Sequence, residues 1–288
     1  MTEIRAVGVV GGGIMGSGIA EVCAIKGLNV TVCEANHSAA SASRDRISRS
    51  FLHAVQRRKL TDTDADAATS RLTFTTEIDE LASSDLVIEA VAENEGAKTD
   101  VFRTLDNIVA DTDVILATNT SSIPITQIAA VTARPHRVLG IHFFNPVPVM
   151  NLVEIIPSVF SDEKLVRRAQ FFVESTLGKQ PIRAKDQAGF VVNALLVPYL
   201  VAAIRMLDDG IATAIDIDCG MTLGCAHPMG PLALADLIGL DTVMAVAESM
   251  YDEYRLPQYA PPPLLRRLVE AGILGKKVGQ GFHSYVGS

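Results

Sequence analysis

Ala6-Val7-Gly8-Val9-Val10-Gly11-Gly12-Gly13-Ile14-Met15-Gly16 is the stretch that decides how this chain folds. An apolar, β-rich run passes without alternation into consecutive glycines, and a helical pattern starts directly after them. Strand, glycine turn and helix follow in that order, with G-x-G-x-x-G spacing across Gly11, Gly13 and Gly16. Gly11 permits the tight turn, Gly13 lets the backbone approach a pyrophosphate, and Gly16 allows the helix to pack close to the sheet. The helix start then offers unpaired N–H groups and a positive dipole end to phosphates. Glu34 ends the next strand pattern, 18 residues after Gly16. An acidic residue there accepts hydrogen bonds from the adenosine ribose hydroxyls and repels a 2′-phosphate, so NAD is expected over NADP. His37 and Arg44 stand close enough in sequence to soften that preference.

Working outward, further strand patterns fall at Asn29–Glu34, Leu72–Thr75, Leu86–Val91, Val114–Thr118, Val138–Phe143 and Leu152–Ile156. Runs such as DLVIEAV and DVILATN are continuously apolar, as expected of strands covered by helices on both faces. The expected fold is therefore α/β, a doubly wound, mostly parallel Rossmann-type sheet. The last two strands are joined by the proline-rich Asn145–Met150, too short for a helical crossover, so an antiparallel pairing is expected there. Residues 37–70 are more than a simple crossover needs and read as a helical hairpin insertion. Its first helix, His37–Leu60, carries Arg44, Arg46, Arg49, Arg57, Arg58 and Lys59, and Thr61–Asp66 supplies caps for a second, short one.

After about Lys185 the strand patterns stop. Gly189–Asp209, Ala214–Leu223, Leu232–Tyr254 and Pro263–Ala271 read as helices, the first with Pro198 inside it as an expected kink or local break. Two domains follow: 1–185, binding the dinucleotide, and 186–288, a smaller all-α domain for substrate binding and dimerisation. A helical domain this apolar is expected to bury a face against a second copy, giving a homodimer.

Bulk properties narrow the function. Hydrophobic residues make up 48% and charged residues 20%, as in ordinary globular proteins. A net charge of −8 argues against general nucleic-acid binding. No apolar run reaches the length that spans a bilayer, and Met1-Thr2-Glu3 leads straight into a strand pattern, so neither membrane insertion nor export is expected. Cys23, Cys33, Cys219 and Cys225 lie in apolar segments without CxxC spacing. They read as buried free thiols in a reducing compartment, the cytoplasm, and no metal site is expected.

Chemistry gathers between Ala117 and Glu154. His142 lies at the end of a sheet strand, where ligands bind in open α/β sheets. Glu154 can return beside it on the next strand, and Ser121 closes another. A carboxylate next to imidazole fixes its orientation and favours the protonated form, as a base collecting a hydroxyl proton requires. Thr120, Ser121 and Ser122 also suit turn and cap roles ahead of Pro124, and Asn119 a strand-end cap. Asn193, a polar amide in an apolar helix, needs a site or a polar partner.

The runs VGVVGGGIMGSGIA, DLVIEAVAENEGAK, NTSSIPI, GIHFFNPVPVMNLVEI, GFVVNALLVPYL, HPMGPLALADLIGLD and GKKVGQGF follow one another over nearly the whole chain. Through them the sequence resembles the 3-hydroxyacyl-CoA dehydrogenase family, especially its short bacterial members acting on 3-hydroxybutyryl-CoA. The resemblance implies an oxidoreductase of fatty-acid or butanoate metabolism that oxidises a short L-3-hydroxyacyl-CoA reversibly to the 3-ketoacyl-CoA with NAD. It implies His142 as general base, Glu154 as its orienting partner, and Ser121 and Asn193 as holders of the substrate oxygen. For the cofactor it implies Gly11, Gly13, Ile14, Met15, Gly16, Glu34 and Ala92, with Glu93, Lys98, Asn119, Ser121 and Asn145 toward the nicotinamide. For the acyl-CoA it implies Ser50, Arg57 and Arg58 on the hairpin. Ala188 and His283 depart from the family pattern, outside the proposed chemistry. Two alternatives stay open on the same fold: a dehydrogenase of a free 3-hydroxy acid or sugar acid, and a non-catalytic, crystallin-like relative.

Overall fold

The computed structural model describes residues 3–285, so the outer ends of both expected domains, Met1–Thr2 and Val286–Ser288, lie outside the described residues. The chain separates into two compact units, Met1–Asp186 and Gln187–Ser288.

In the first unit, eight strands form one sheet: β1 (Ala6–Val10), β2 (Asn29–Cys33), β3 (Leu72–Thr75), β4 (Leu86–Glu89), β5 (Ile115–Thr118), β6 (Val138–Phe143), β7 (Leu152–Pro157) and β8 (Gln180–Arg183). Their spatial order is β3-β2-β1-β4-β5-β6-β7-β8. The first six positions are parallel, β7 runs antiparallel to β6, and β8 is parallel to β7. The order 3-2-1-4-5-6 reverses between β1 and β4, the point at which a doubly wound sheet opens a crevice for a dinucleotide. β1, β4, β5 and β6 are buried almost throughout, which is why their sequences are continuously apolar rather than alternating.

Among the described residues the first unit also carries the helices α1 (Ile14–Ile25), α2 (His37–Gln56), α3 (Asp62–Thr69), α4 (Glu95–Ile108), α5 (Ile125–Ala130) and α6 (Glu163–Phe171). Asn36, Thr61, Asn94 and Asp162 cap α2, α3, α4 and α6 by accepting first-turn N–H bonds. α2 and α3 form the expected hairpin, with Ile47 and Phe51 of α2 packed into the main core. The β6–β7 connection through Asn145–Met150 is the expected antiparallel return. The edge strand β8 was not expected; its QPIR sequence is half exposed and too polar to announce a strand.

The second unit is helical: α7 (Val192–Asp208), α8 (Ala214–Gly224), α9 (Pro231–Ile238), α10 (Leu240–Tyr254) and α11 (Pro263–Glu270). Leu200, Ile204, Leu232, Val243 and Leu265 form its core. The single helix expected over Leu232–Tyr254 is two, because Gly239 turns the chain at φ +103°. α7 runs continuously past Pro198, so of the expected kink or local break the helix shows no break. Of the four cysteines, Cys23 and Cys33 are buried as expected, but Cys219 and Cys225 are exposed, since α8 buries little more than Ile217. His283, one of the two departures from the family pattern, binds the Asp218 carboxylate through Nε2 at 2.8 Å, while Asp218 also accepts the first N–H groups of α9.

One buried ion pair ties α4 to the approach to β6. The fully buried Arg137 donates to Asp106 Oδ1 at 2.7 Å, and Ala133 N–H donates to Oδ2 at 2.8 Å. Burial pushes the Asp106 carboxyl up, but the bonds from Arg137 and Ala133 and the charges of Arg137 and Arg134 outweigh it and hold it below the ordinary carboxylate range. A carboxylate that binds its proton less readily folded than unfolded stabilises fully above about pH 4–5, and loses that contribution as pH falls through its lower folded value. Asp106→Ala, which strands a buried guanidinium, should lower the unfolding free energy by about 3–5 kcal/mol in urea titrations at neutral pH. In the same titrations repeated between about pH 5 and pH 2, Asp106→Asn should show a shallower acid-side loss than the wild type.

Candidate active site

The glycine turn at the end of β1 is assembled from both neighbours. Gly11 sits at φ +87°, and a Cβ there would meet the Ala90 carbonyl oxygen at 2.9 Å. A Cβ on Gly16 would fall on the Gly11 carbonyl oxygen, so α1 packs against the turn only because Gly16 has no side chain. Gly13 differs: a Cβ there would find nothing within 4 Å. Beyond it α1 begins with no side-chain cap and no acidic residue in its first turn. Open space, first-turn N–H groups and the positive end of a helix dipole make a cradle that fits a pyrophosphate.

Glu34, one residue beyond β2, closes the cradle from the other side. Its Oε1 accepts from Gly12 N–H at 2.9 Å and from the Ser43 hydroxyl at 2.5 Å. Arg46 and Ser17 donate to the Gly12 carbonyl at 2.5 and 2.6 Å. Ser43 and Arg46 belong to the hairpin helix α2, so the insertion holds the turn as well as extending from the sheet. Ser43 was not singled out in the sequence; a buried hydroxyl on a polar helix leaves no periodic trace. Ile14 and Ala92 are exposed, and Met15 is half-buried against the core.

Across the switch point, the ends of β4 and β5 carry a network of charges and hydroxyls. Glu93 Oε1 accepts from Thr120 Oγ1 at 2.5 Å, Ser122 Oγ at 2.8 Å, Ser121 N–H at 3.0 Å and Ser122 N–H at 3.1 Å, with Ser121 Oγ at 3.5 Å. Its Oε2 lies 3.2 Å from Lys98 Nζ. Burial pushes the Glu93 carboxyl up, but the Lys98 charge and the bonds from Thr120, Ser122 and Ser121 hold it below the ordinary carboxylate range. Lys98 is almost wholly buried and donates to Glu89 Oε1 at 2.7 Å. Glu89 escaped the sequence reading, although a charge inside the apolar run DLVIEAV signals a buried pair.

Asn119 joins this network to the imidazole. Its backbone N–H donates to the Glu89 carbonyl at 2.8 Å, and its Oδ1 accepts from Phe143 N–H, the residue after His142, at 2.9 Å. His142 and Glu154 are register partners across β6 and β7, and Nδ1 stands 2.7 Å from Glu154 Oε2. His142 is 6% and Glu154 0% exposed, so the carboxylate is committed to the ring and not to water. The Phe144 ring meets the imidazole edge-on at 4.7 Å between centroids. Such an imidazole, oriented through Nδ1, can exchange a proton through Nε2.

The loop after β6 is tethered by Lys179, whose buried ammonium donates to the carbonyls of Val147 and Met150 at 2.8 and 2.7 Å. Asn145 is exposed at its start. Between this loop, α1 and α2 lies a cavity of about 570 Å³, lined among others by Ser50, Arg57 and Lys59; Arg58, in a left-handed turn, is not among its lining residues. Asn193 belongs to the second unit, half-buried in the first turn of α7. The helix begins at Val192 rather than Gly189, so Asn193 is a first-turn residue and not a helix-interior amide. Among the described residues, no group of three or more His, Cys, Asp or Glu could hold a metal ion, and no helix is long and apolar enough to cross a membrane.

Comparison with known proteins matches both units. The 3-hydroxyacyl-CoA dehydrogenase NAD binding domain matches residues 6–187, and the 3-hydroxyacyl-CoA dehydrogenase C-terminal domain matches residues 189–285. A 3-hydroxybutyryl-CoA dehydrogenase of Mycobacterium tuberculosis is 53% identical over 282 residues, covering 98% of this chain and 99% of the relative. The crystal structure of M. tuberculosis FadB2 superposes with a TM-score of 0.98 at 52% identity, over 99% of this chain and all of that one. The (S)-3-hydroxybutyryl-CoA dehydrogenase PaaH1 of Ralstonia eutropha superposes with a TM-score of 0.92 at 45% identity, over 98% of this chain and 99% of that one.

The glycines make a contrast that can be measured. A Cβ at Gly13 meets no protein atom within 4 Å, so the melting temperature of Gly13→Val should stay close to that of the wild type. Its affinity for NADH, read by fluorescence titration, should fall by about tenfold or more, because the side chain fills the space of the pyrophosphate. Gly16→Val should instead lower the melting temperature sharply. A Gly13→Val protein that binds NADH as well as the wild type would contradict the cradle.

Proposed function

The chain belongs to the 3-hydroxyacyl-CoA dehydrogenase family, and from that membership we propose the NAD-dependent, reversible oxidation of a short-chain L-3-hydroxyacyl-CoA, above all 3-hydroxybutyryl-CoA, to the 3-ketoacyl-CoA. One observation carries the reading: the buried His142–Glu154 pair at 2.7 Å, set in the same sheet as a cradle that fits a dinucleotide.

NAD would be held at its pyrophosphate by the turn Gly11–Gly16, with Ile14 and Met15, and at its adenosine ribose by Glu34. Ala92, Glu93, Lys98, Asn119, Ser121 and Asn145 would take its other half. When bound, it supplies the hydride acceptor. His142 removes the hydroxyl proton of the substrate through Nε2, because Nδ1 is committed to Glu154. Glu154 stabilises the resulting imidazolium, the form that returns the proton when the reaction runs backwards. Ser121 holds the substrate oxygen from a loop that Glu93 keeps in place, and the family resemblance gives Asn193 the same task. The CoA portion takes the α2 side, with Ser50 and Arg57 supported by their place on the cavity wall and Arg58 by its position next to them.

The first domain, 1–185, is read as the NAD-binding domain and 186–288 as the helical domain for substrate binding and dimerisation. Exposed apolar side chains on the second unit, Leu195, Ile211, Ile215 and Leu223, support a homodimer. Four unpaired cysteines support a reducing compartment, the cytoplasm.

Purified protein mixed with NADH and acetoacetyl-CoA should consume NADH rapidly and should leave it untouched with free acetoacetate. Turnover of the free acid alone would move the assignment to a hydroxy-acid dehydrogenase. His142→Ala should lower kcat by about 10²–10⁴-fold while leaving the dissociation constant for NADH unchanged. Unaltered turnover in that variant would remove His142 from the chemistry.

A further inference from the structure

Glu89 is a carboxylate with no exposed surface, at the C-terminal end of a central parallel strand. Three donors converge on it: Val91 N–H and Lys98 Nζ, both 2.7 Å from Oε1, and the Thr118 hydroxyl, 2.7 Å from Oε2. Thr118 in turn accepts from Thr120 N–H at 3.1 Å, and the Glu89 carbonyl accepts from Asn119 N–H. The carboxylate therefore stands beneath the segment that carries Asn119 and Ser121. Its salt-bridge partner, Lys98, is shared with Glu93, so two carboxylates and one ammonium make a trio with one net negative charge. Burying such a group costs more desolvation than an apolar pair of the same volume would. Stability does not account for it.

Its position does. The strand order reverses between β1 and β4, and a dinucleotide lies across the carboxyl ends of the strands at that point. Glu34 marks the adenosine half beyond β2, so the nicotinamide half falls over the ends of β4 and β5, whose last residues are Glu89 and Thr118.

We propose that Glu89 is a positioning residue of the cofactor site. It holds Lys98 between two carboxylates, leaves Glu93 to anchor the Thr120–Ser122 loop, and gives the trio one net negative charge that favours the cationic, oxidised nicotinamide ring over the neutral, reduced one. The inference rests on the NAD-binding reading above and adds to it a reason for a buried charge that no proton transfer uses.

The test is the ratio of two dissociation constants, for NADH and for NAD, titrated separately on the full-length protein without substrate. Glu89→Gln keeps the size of the side chain and removes one charge. The ratio of the NADH constant to the NAD constant should fall about tenfold, the effect of one charge acting over several ångströms in a partly screened site. Thr118→Val removes a partner of Glu89 without changing charge, and its ratio should match the wild type. A shift in Thr118→Val as large as that in Glu89→Gln would trace the effect to packing and overturn the proposal. If Glu89→Gln does not fold, Glu93→Gln removes the other negative charge from a side chain that is 34% exposed, and its ratio must move in the same direction. An unmoved ratio there overturns the proposal too. Wild-type protein that binds neither form of the cofactor overturns the NAD reading and this inference with it. Wild type that binds both, beside a Glu89→Gln ratio within about twofold of it, overturns the charge assignment alone.

Discussion

A slip of one residue between β6 and β7 would carry Glu154 to the opposite face of the sheet and leave His142 facing Val153 or Ile155. The register that prevents this is set by apolar neighbours. Ile141 pairs with Ile155 and Phe143 with Val153, all buried, so any slip would also have to repack the core of the first unit. The His142–Glu154 pair is thus held in register by packed apolar neighbours as well as by its own hydrogen bond. β7 is antiparallel to β6, and it is that reversal which lets a residue twelve positions later return directly opposite the imidazole.

A second constraint follows from placing charge inside a sheet covered on both faces. Glu89, Lys98, Asp106, Arg137 and Lys179 each lose water, and the cost is tolerable only because each meets several partners. The two sets serve different ends. Asp106 and Arg137 fasten α4 to the approach to β6, away from the glycine turn. Glu89, Lys98 and Glu93 lie at the carboxyl ends of β4 and β5, where the sheet opens, and Lys179 tethers the loop that leaves β6. Charges at that end hold the loops that bear Ser121, Ser122 and Asn145.

The glycine turn shows the same economy. Gly11, Gly12 and Gly16 are glycine for reasons internal to the protein: a left-handed φ, the crowding of Ser43 and Glu34, and contact with the Gly11 carbonyl. Gly13 alone has no internal reason, and an unfilled position beside uncapped N–H groups points outward to a ligand. The hairpin helix α2, which looks in sequence like a basic arm for the acyl-CoA, also supplies Ser43 and Arg46 to the back of this turn.

Much of this was legible in the chain because it depends on local order. G-x-G-x-x-G between a strand and a helix, an acidic residue at the next strand end, continuous apolar runs, and a short proline-rich return are all near-neighbour patterns. They determined the doubly wound sheet, the NAD cradle, the antiparallel β6–β7 pair and the partnership of His142 with Glu154. What they missed depended on surroundings. The strand β8 is too polar to declare itself, Gly239 splits one apolar helix into two through a backbone angle, and Cys219 and Cys225 are exposed despite their apolar flanks. The roles of Glu89, Ser43 and Lys179 were decided only by tertiary structure. A buried charge or hydroxyl is defined by partners brought together from distant segments, and no periodicity in the chain records which partners those are.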